Sequence, residues 1–72
     1  MYANIKLPDI TVNSANLTGL WARVDYHREQ WFVQFWREND GKISDSARKQ
    51  LAGSAWVQFA VAEANDKFAE VT

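Results

Sequence analysis

The sequence predicts an α+β domain: a small antiparallel sheet of two to three strands followed by one long C-terminal helix. Three observations lead there. Residues 20–36 hold all but one of the four tryptophans and divide into two runs that alternate in polarity. Asn39-Asp40-Gly41-Lys42 then punctuates the chain, and from Ser44 onward it is alanine-rich and free of proline.

Residues 1–12 read as extended chain. Ile5 and Leu7 share one phase, Ile10 and Val12 the other, and the change falls at Pro8-Asp9. Proline donates no backbone hydrogen bond, so within a sheet it belongs at an edge or a bulge. Ile5-Lys6-Leu7 therefore suits an edge strand, guarded by Lys6 and Pro8 against pairing with other chains. Asn13-Ser14-Ala15-Asn16 consists largely of residues whose side chains bond the local backbone, and a turn is expected there. Asn16-Leu17-Thr18 matches a glycosylation acceptor, but with no export leader read at Met1 the match is taken as chance. Gly19 is a bulge or a strand start.

Residues 20–37 form the central hairpin in this reading. Tyr26 pairs with Trp31, and the register is the same whether His27 to Gln30 make the whole loop or His27 and Gln30 pair around an Arg28-Glu29 turn. One face then joins Tyr26 with Trp31, Val24 with Val33 and Ala22 with Phe35, all apolar. The other joins Asp25 with Phe32, Arg23 with Gln34 and Trp21 with Trp36, and is expected to be half-exposed. A slip of one residue would scramble both faces. The competing reading is a helix from about residue 17 to 39, with Leu17, Leu20, Trp21, Val24, Trp31 and Phe35 on one side. That would make an all-α helical hairpin dimerising into a four-helix bundle. Against it, Arg28 falls inside the apolar stripe, and β-branched and aromatic residues lose rotamer freedom in a helix. Against the hairpin, HREQ lacks the Gly or Asn that tight primed turns prefer.

Asp40-Gly41 suits a tight turn with positive backbone angles or a helix C-cap. It lacks the spaced acidic ligands of a calcium loop. Ser44-Asp45-Ser46 is a helix start, since a side-chain oxygen there accepts from the first free N–H groups. The helix, residues 44–71, carries Leu51, Ala55, Phe59 and Ala62 in one apolar row and Val57, Val61, Ala64 and Phe68 in a second. Trp56 points away from both, near Gly53, which weakens a helix by up to about 1 kcal/mol relative to Ala. Gly53 either lets the helix pack closely on the sheet, the preferred reading, or leaves a notch for another chain. The helix is laid across Val24, Tyr26, Trp31, Val33 and Phe35, and truncating Phe35 to Ala in that core is expected to cost about 3–5 kcal/mol.

A chain of 72 residues is expected to form one domain. At this size a single core rarely supplies more than about 3–5 kcal/mol. With no cysteine there are no disulfides or thiolate metal sites as staples, so self-association, most simply a homodimer, is expected. Hydrophobic residues at 47% against 24% charged place the chain among folded domains rather than disordered segments. No apolar run approaches the roughly 20 residues that cross a bilayer. The plain expectation is a cytoplasmic protein without membrane attachment. His27 is the single histidine, and the carboxylates show no metal-ligand spacing. Asp25 and His27 share strand parity, but no nucleophile, base and orienting group can be assembled, so neither an enzyme nor a cofactor is expected.

Two binding classes remain. In the first, Trp21, Phe32 and Trp36, rimmed by Arg23, Asp25 and Gln34, anchor a protein partner or a second copy, as aromatic and Arg residues commonly do. The second is single-stranded nucleic-acid binding, with bases stacked on Trp21 and Trp36 and phosphates held by Lys6, Arg23, Arg28 and Arg37. Residues 1–43 carry five basic and five acidic side chains, and the net charge is −1, so that platform lacks a positive field. A third possibility is that the aromatics are covered by the N-terminal arm or a dimer mate. In size, and in lacking cysteine and catalytic apparatus, the chain resembles the small accessory or inhibitory proteins of phages and mobile elements. The resemblance implies action by covering a host protein's surface and extends to no particular residues.

Overall fold

The structure is a computed structural model and describes residues 1–12 and 14–71. Residues 20–37 resolve into two strands in the expected register, here designated β4 (Leu20–His27) and β5 (Gln30–Arg37). Tyr26 opposes Trp31, Val24 opposes Val33, Ala22 opposes Phe35, and Trp21 opposes Trp36. His27 and Gln30 are also paired, so the turn is Arg28-Glu29 alone. Both turn residues are left-handed, at φ 52° and 65°. That is the primed geometry whose twist matches a right-twisted hairpin, adopted here without glycine.

Three shorter strands precede this hairpin: β1 (Tyr2–Lys6), β2 (Ile10–Val12) and β3 (Ala15–Leu17). β1 runs antiparallel to β4 with Ile5 opposite Ala22, giving a three-stranded sheet in the order β1-β4-β5. β2 and β3 form a separate two-stranded sheet, with Val12 opposite Ala15. The α+β class is therefore the observed one, and the all-α alternative is not supported.

The turn expected at residues 13–16 is shorter than its sequence suggests. Asn13 lies outside the described residues, Ser14 is left-handed at φ 66°, and Ala15 and Asn16 already belong to β3. Ala15 and Leu17 face the core and are buried. At the far end of β5 a 3₁₀ turn, Glu38–Asp40, places Asn39 and Asp40 at φ 58° and 55°, while Gly41 is extended. The positive angles thus fall before Gly41, on residues whose short polar side chains tolerate them.

The C-terminal helical segment is divided into α1 (Asp45–Leu51) and α2 (Ser54–Val71). The Ser44 hydroxyl accepts from the Ala47 N–H at 3.2 Å, capping α1 as its sequence implies. The break falls at Ala52-Gly53, where the Gly53 N–H turns back to the Gln50 carbonyl. Gly53 is exposed, so it ends a helix rather than seating one on the sheet.

The core lies between the inner face of the three-stranded sheet, the β2-β3 hairpin and the helices. It gathers Ile5, Leu7, Leu17, Leu20, Ala22, Val24, Leu51, Ala60, Ala64 and Phe68. Two expectations need correction. The buried row of α2 is Ala60, Ala64 and Phe68, with Trp56 half-buried at its start, whereas Ala55 and Ala62 face solvent. Trp56, edge-on to Phe59 at 6.4 Å, therefore turns toward the core rather than away from it. The inner face of the hairpin is also less covered than its apolar pairs suggest. α2 lies mainly along β1, so Tyr26 and Trp31 are 38% and 37% exposed, and Val33 and Phe35 only half-buried. Trp31 meets the helix at its rim, stacked on Phe68 at 6.0 Å. Truncating half-buried Phe35 should cost about 1–2 kcal/mol, below the range for a fully enclosed aromatic.

Candidate functional site

Strand alternation sends Leu20, Ala22 and Val24 into the core and Trp21, Arg23 and Asp25 to the opposite, outer face of β4. The pairing registers extend that face across three strands. One row is Lys6, Trp21 and Trp36; the next is Asn4, Arg23 and Gln34; the third is Tyr2, Asp25 and Phe32. The five residues singled out from the sequence, Trp21, Arg23, Phe32, Gln34 and Trp36, thus lie together on one face. Tyr2, Asn4 and Lys6 complete it; Tyr2 and Asn4 were missed, and Lys6 was named only as a phosphate contact. Their signal was the alternation of Tyr2, Asn4 and Lys6 with Ala3, Ile5 and Leu7, which the extended reading of residues 1–12 did not pair with β4.

The face carries aromatic rings at both ends and a polar row, Asn4, Arg23 and Gln34, through its middle. The Trp21 and Trp36 rings stack with centroids 5.5 Å apart and planes inclined by 13°. Trp36 remains 40% exposed and Phe32 49%, while Trp21 is half-buried beneath its neighbours. The Trp21 Nε1–H donates to Glu38 Oε1 at 2.7 Å, which satisfies its polar edge and fixes the ring. Arg23 lies with its guanidinium carbon 4.3 Å from the centre of the Tyr2 ring, and its Nε is 3.5 Å from Asp25 Oδ2. Stacking on an aromatic face suits the planar guanidinium.

A small polar cluster bounds the Trp21 end. Lys6 Nζ stands 3.1 Å from Asp9 Oδ1 and 3.9 Å from Glu38 Oε1. The Gly19 N–H donates to the same Asp9 oxygen at 3.0 Å. That backbone donor, and then Lys6, hold the Asp9 carboxyl below the usual carboxylate range. Gly19 is left-handed at φ 65°, so the chain turns sharply enough to aim its N–H at Asp9.

Arg37 belongs to the opposite phase of β5 and is fully engaged. Its Nε, Nη1 and Nη2 donate to the carbonyls of Thr18, Lys42 and Asn16 at 3.1, 2.7 and 2.7 Å. Arg28 sits in the hairpin turn, away from the aromatic rows. Two of the four cations that the nucleic-acid reading requires therefore lie off the face, and the other two, Lys6 and Arg23, have carboxylate partners. Asn16, the acceptor of the glycosylation pattern, uses Oδ1 to accept from the Thr18 N–H and hydroxyl at 3.1 and 2.8 Å.

Among the described residues, no group of three or more His, Asp or Glu side chains converges as a metal site. No helix among them is long and apolar enough to cross a membrane. Comparison with protein-family models, with curated proteins and with solved structures finds no match to this chain.

Proposed function

We propose that this chain is a small non-catalytic protein-interaction module whose docking face is the outer face of the β1-β4-β5 sheet. The observation that carries the reading is the exposure of Phe32 and Trp36 on a strand, beside a Trp21 held in place by Glu38. Strand-borne rings lose little conformational freedom on binding, and such rigid aromatics are the common anchors of interfaces. Arg23 and Asp25 form the polar rim, and Gln34 lies between the aromatic ends. The pairing of Lys6 and Arg23 with carboxylates favours a protein over a phosphate backbone, which would have to displace those partners. A cytoplasmic accessory or inhibitory role, covering a surface of a host protein, follows as the simplest use of such a face.

The test is affinity capture by immobilised wild type, Trp36→Ala, Phe32→Ala and a Tyr26→Ala control, each first shown to unfold cooperatively. A protein retained by wild type and Tyr26→Ala but lost by the two outer-face variants supports the reading. Equal retention by Trp36→Ala overturns it. Retention of single-stranded nucleic acid that falls steeply with added salt overturns it in favour of the other class.

A further inference from the structure

β5 closes one side of the sheet, with residues 40–43 beside its Phe35–Arg37 end. The Glu38 N–H donates to the Gly19 carbonyl, and from that bond the antiparallel ladder alternates. Trp36, Gln34, Phe32 and Gln30 consequently exchange hydrogen bonds with β4. The backbone N–H and C=O groups of Trp31, Val33, Phe35 and Arg37 point the other way, off the sheet. Natural sheets protect such an edge by short length, lysine, proline or inward-pointing charge. β1 at the other side does so, with five residues ending in Lys6 and Pro8 just beyond. β5 has eight residues without proline, lysine or carboxylate. Its one charged side chain, Arg37, is turned onto carbonyls.

Beside this edge runs a groove of about 700 Å³, lined by Val33, Phe35, Ile43, Leu51 and Val57 together with the polar Gln34 and Arg48. It exists because α2 lies along β1 and leaves the inner side of β5 partly uncovered. An edge with free backbone groups and adjoining apolar space is suited to accept an added strand.

We propose that the occupant is a second copy of this chain, its β5 added antiparallel across a two-fold axis at Gln34. A two-fold interface must be complementary to itself, and this register is. Val33 faces Phe35 of the second copy, in positions that exchange hydrogen bonds through the free edge groups. Phe32 faces Trp36 of the second copy, and Gln34 faces its own equivalent. At the strand ends Trp31 comes opposite Arg37 of the second copy. An axis at Val33 instead sets the Phe32 ring against the Gln34 amide and loses the Phe32–Trp36 pairing. In the Gln34 register, Val33 and Phe35 of each copy project on the groove side and fill the space beside the other's Ile43 and Leu51.

The assembled sheet has six strands. Its outer side joins the two aromatic faces into one surface, with Phe32 of each copy next to Trp36 of the other. The dimer stands independently of whatever docks on that surface, because its readouts need no other protein.

Sedimentation equilibrium of the full chain is expected to give a concentration-dependent monomer–dimer mass. Amide exchange at Val33 and Phe35 should slow as the dimer fills. The chain has no cysteine, so single substitutions report the axis directly. Opposed residues in a non-hydrogen-bonded antiparallel pair have Cα atoms about 4.5 Å apart, within disulfide reach. Gln34→Cys should therefore oxidise to a covalent dimer far faster than Gln30→Cys, at a position that is also exposed. Gln34→Lys sets like charges across the axis and should weaken dimerisation about two- to fivefold, and equimolar Gln34→Glu should capture it as a heterodimer. A chain that stays monomeric at millimolar concentration overturns the proposal. So does a dimer with fast-exchanging Val33 and Phe35 amides, or one in which Gln30→Cys cross-links as readily as Gln34→Cys.

Discussion

Trp21 and Trp36 are directly opposed residues of β4 and β5, and their indoles stack at 5.5 Å on the outer face of the sheet. Rings this close couple their electronic transitions. The circular dichroism spectrum should contain an aromatic exciton couplet that disappears in both Trp21→Phe and Trp36→Phe but survives in Trp31→Phe, since Trp31 lies on the inner face. The stack itself is worth about 0.5–1.5 kcal/mol beyond its buried area. A couplet that persists in Trp36→Phe would show the stack to be absent in solution.

The Arg28-Glu29 turn holds both residues at positive φ. A non-glycine residue in that region costs roughly 1–2 kcal/mol, and Asn or Gly far less. The double substitution Arg28→Asn, Glu29→Gly should therefore stabilise the protein by about 1–2 kcal/mol in urea unfolding, with an unchanged slope. Destabilisation would mean that the Arg28 or Glu29 side chain makes a contact outweighing the backbone strain.

This turn also marks how far the fold was legible from sequence. The hairpin register was readable because every inner pair, from Ala22-Phe35 to Tyr26-Trp31, is apolar, and a slip of one residue would invert both faces. The turn chemistry argued the other way, and packing along two strands outweighed one unfavourable loop. β3 was not legible: three residues, Ala15 to Leu17, carry too little periodicity, and Asn16 looks like a turn former because it is one for Thr18. The buried row of α2 was misplaced because alanine fits either side of a helix, and what decided it was the position of α2 along β1. The outer face was legible in β4 and β5, where bulky rings alternate with the core phase. It was invisible in β1, whose pairing with β4 spans residues far apart in the chain.

Arg37 is the side chain whose replacement should reach furthest beyond its own strand. Its three donors tie β5 to the carbonyls of Asn16 in β3, of Thr18 just after it, and of Lys42 before α1. Lysine supplies one compact ammonium in place of a planar fork and cannot meet three carbonyls in divergent directions. Arg37→Lys should lower stability by about 1–2 kcal/mol, and amide exchange should speed up around residues 15–19. Arg23→Lys, which disturbs an exposed ion pair, should cost at most about 1 kcal/mol. Equal losses in the two variants would show that Arg37 is not a clamp.

Asp9 ties the approach to β4 together through pH. Its folded-state carboxyl is depressed chiefly by the hydrogen bond from the Gly19 N–H and secondarily by Lys6. A depressed carboxyl contributes stability that is present above its unfolded value and is lost as the pH falls through the folded value. Asp9→Asn keeps an acceptor for Gly19 but gives up the charge, so its thermal midpoint should lie below that of wild type at neutral pH. The gap should close in acid, below the usual carboxylate range, where wild-type Asp9 also becomes neutral. Lys6→Ala should move the Asp9 titration only part of the way back toward an ordinary value, leaving the larger share with the backbone. If Lys6→Ala restores it completely, the Gly19 hydrogen bond does not form in solution, and the sharp turn into β4 is held by the left-handed glycine alone.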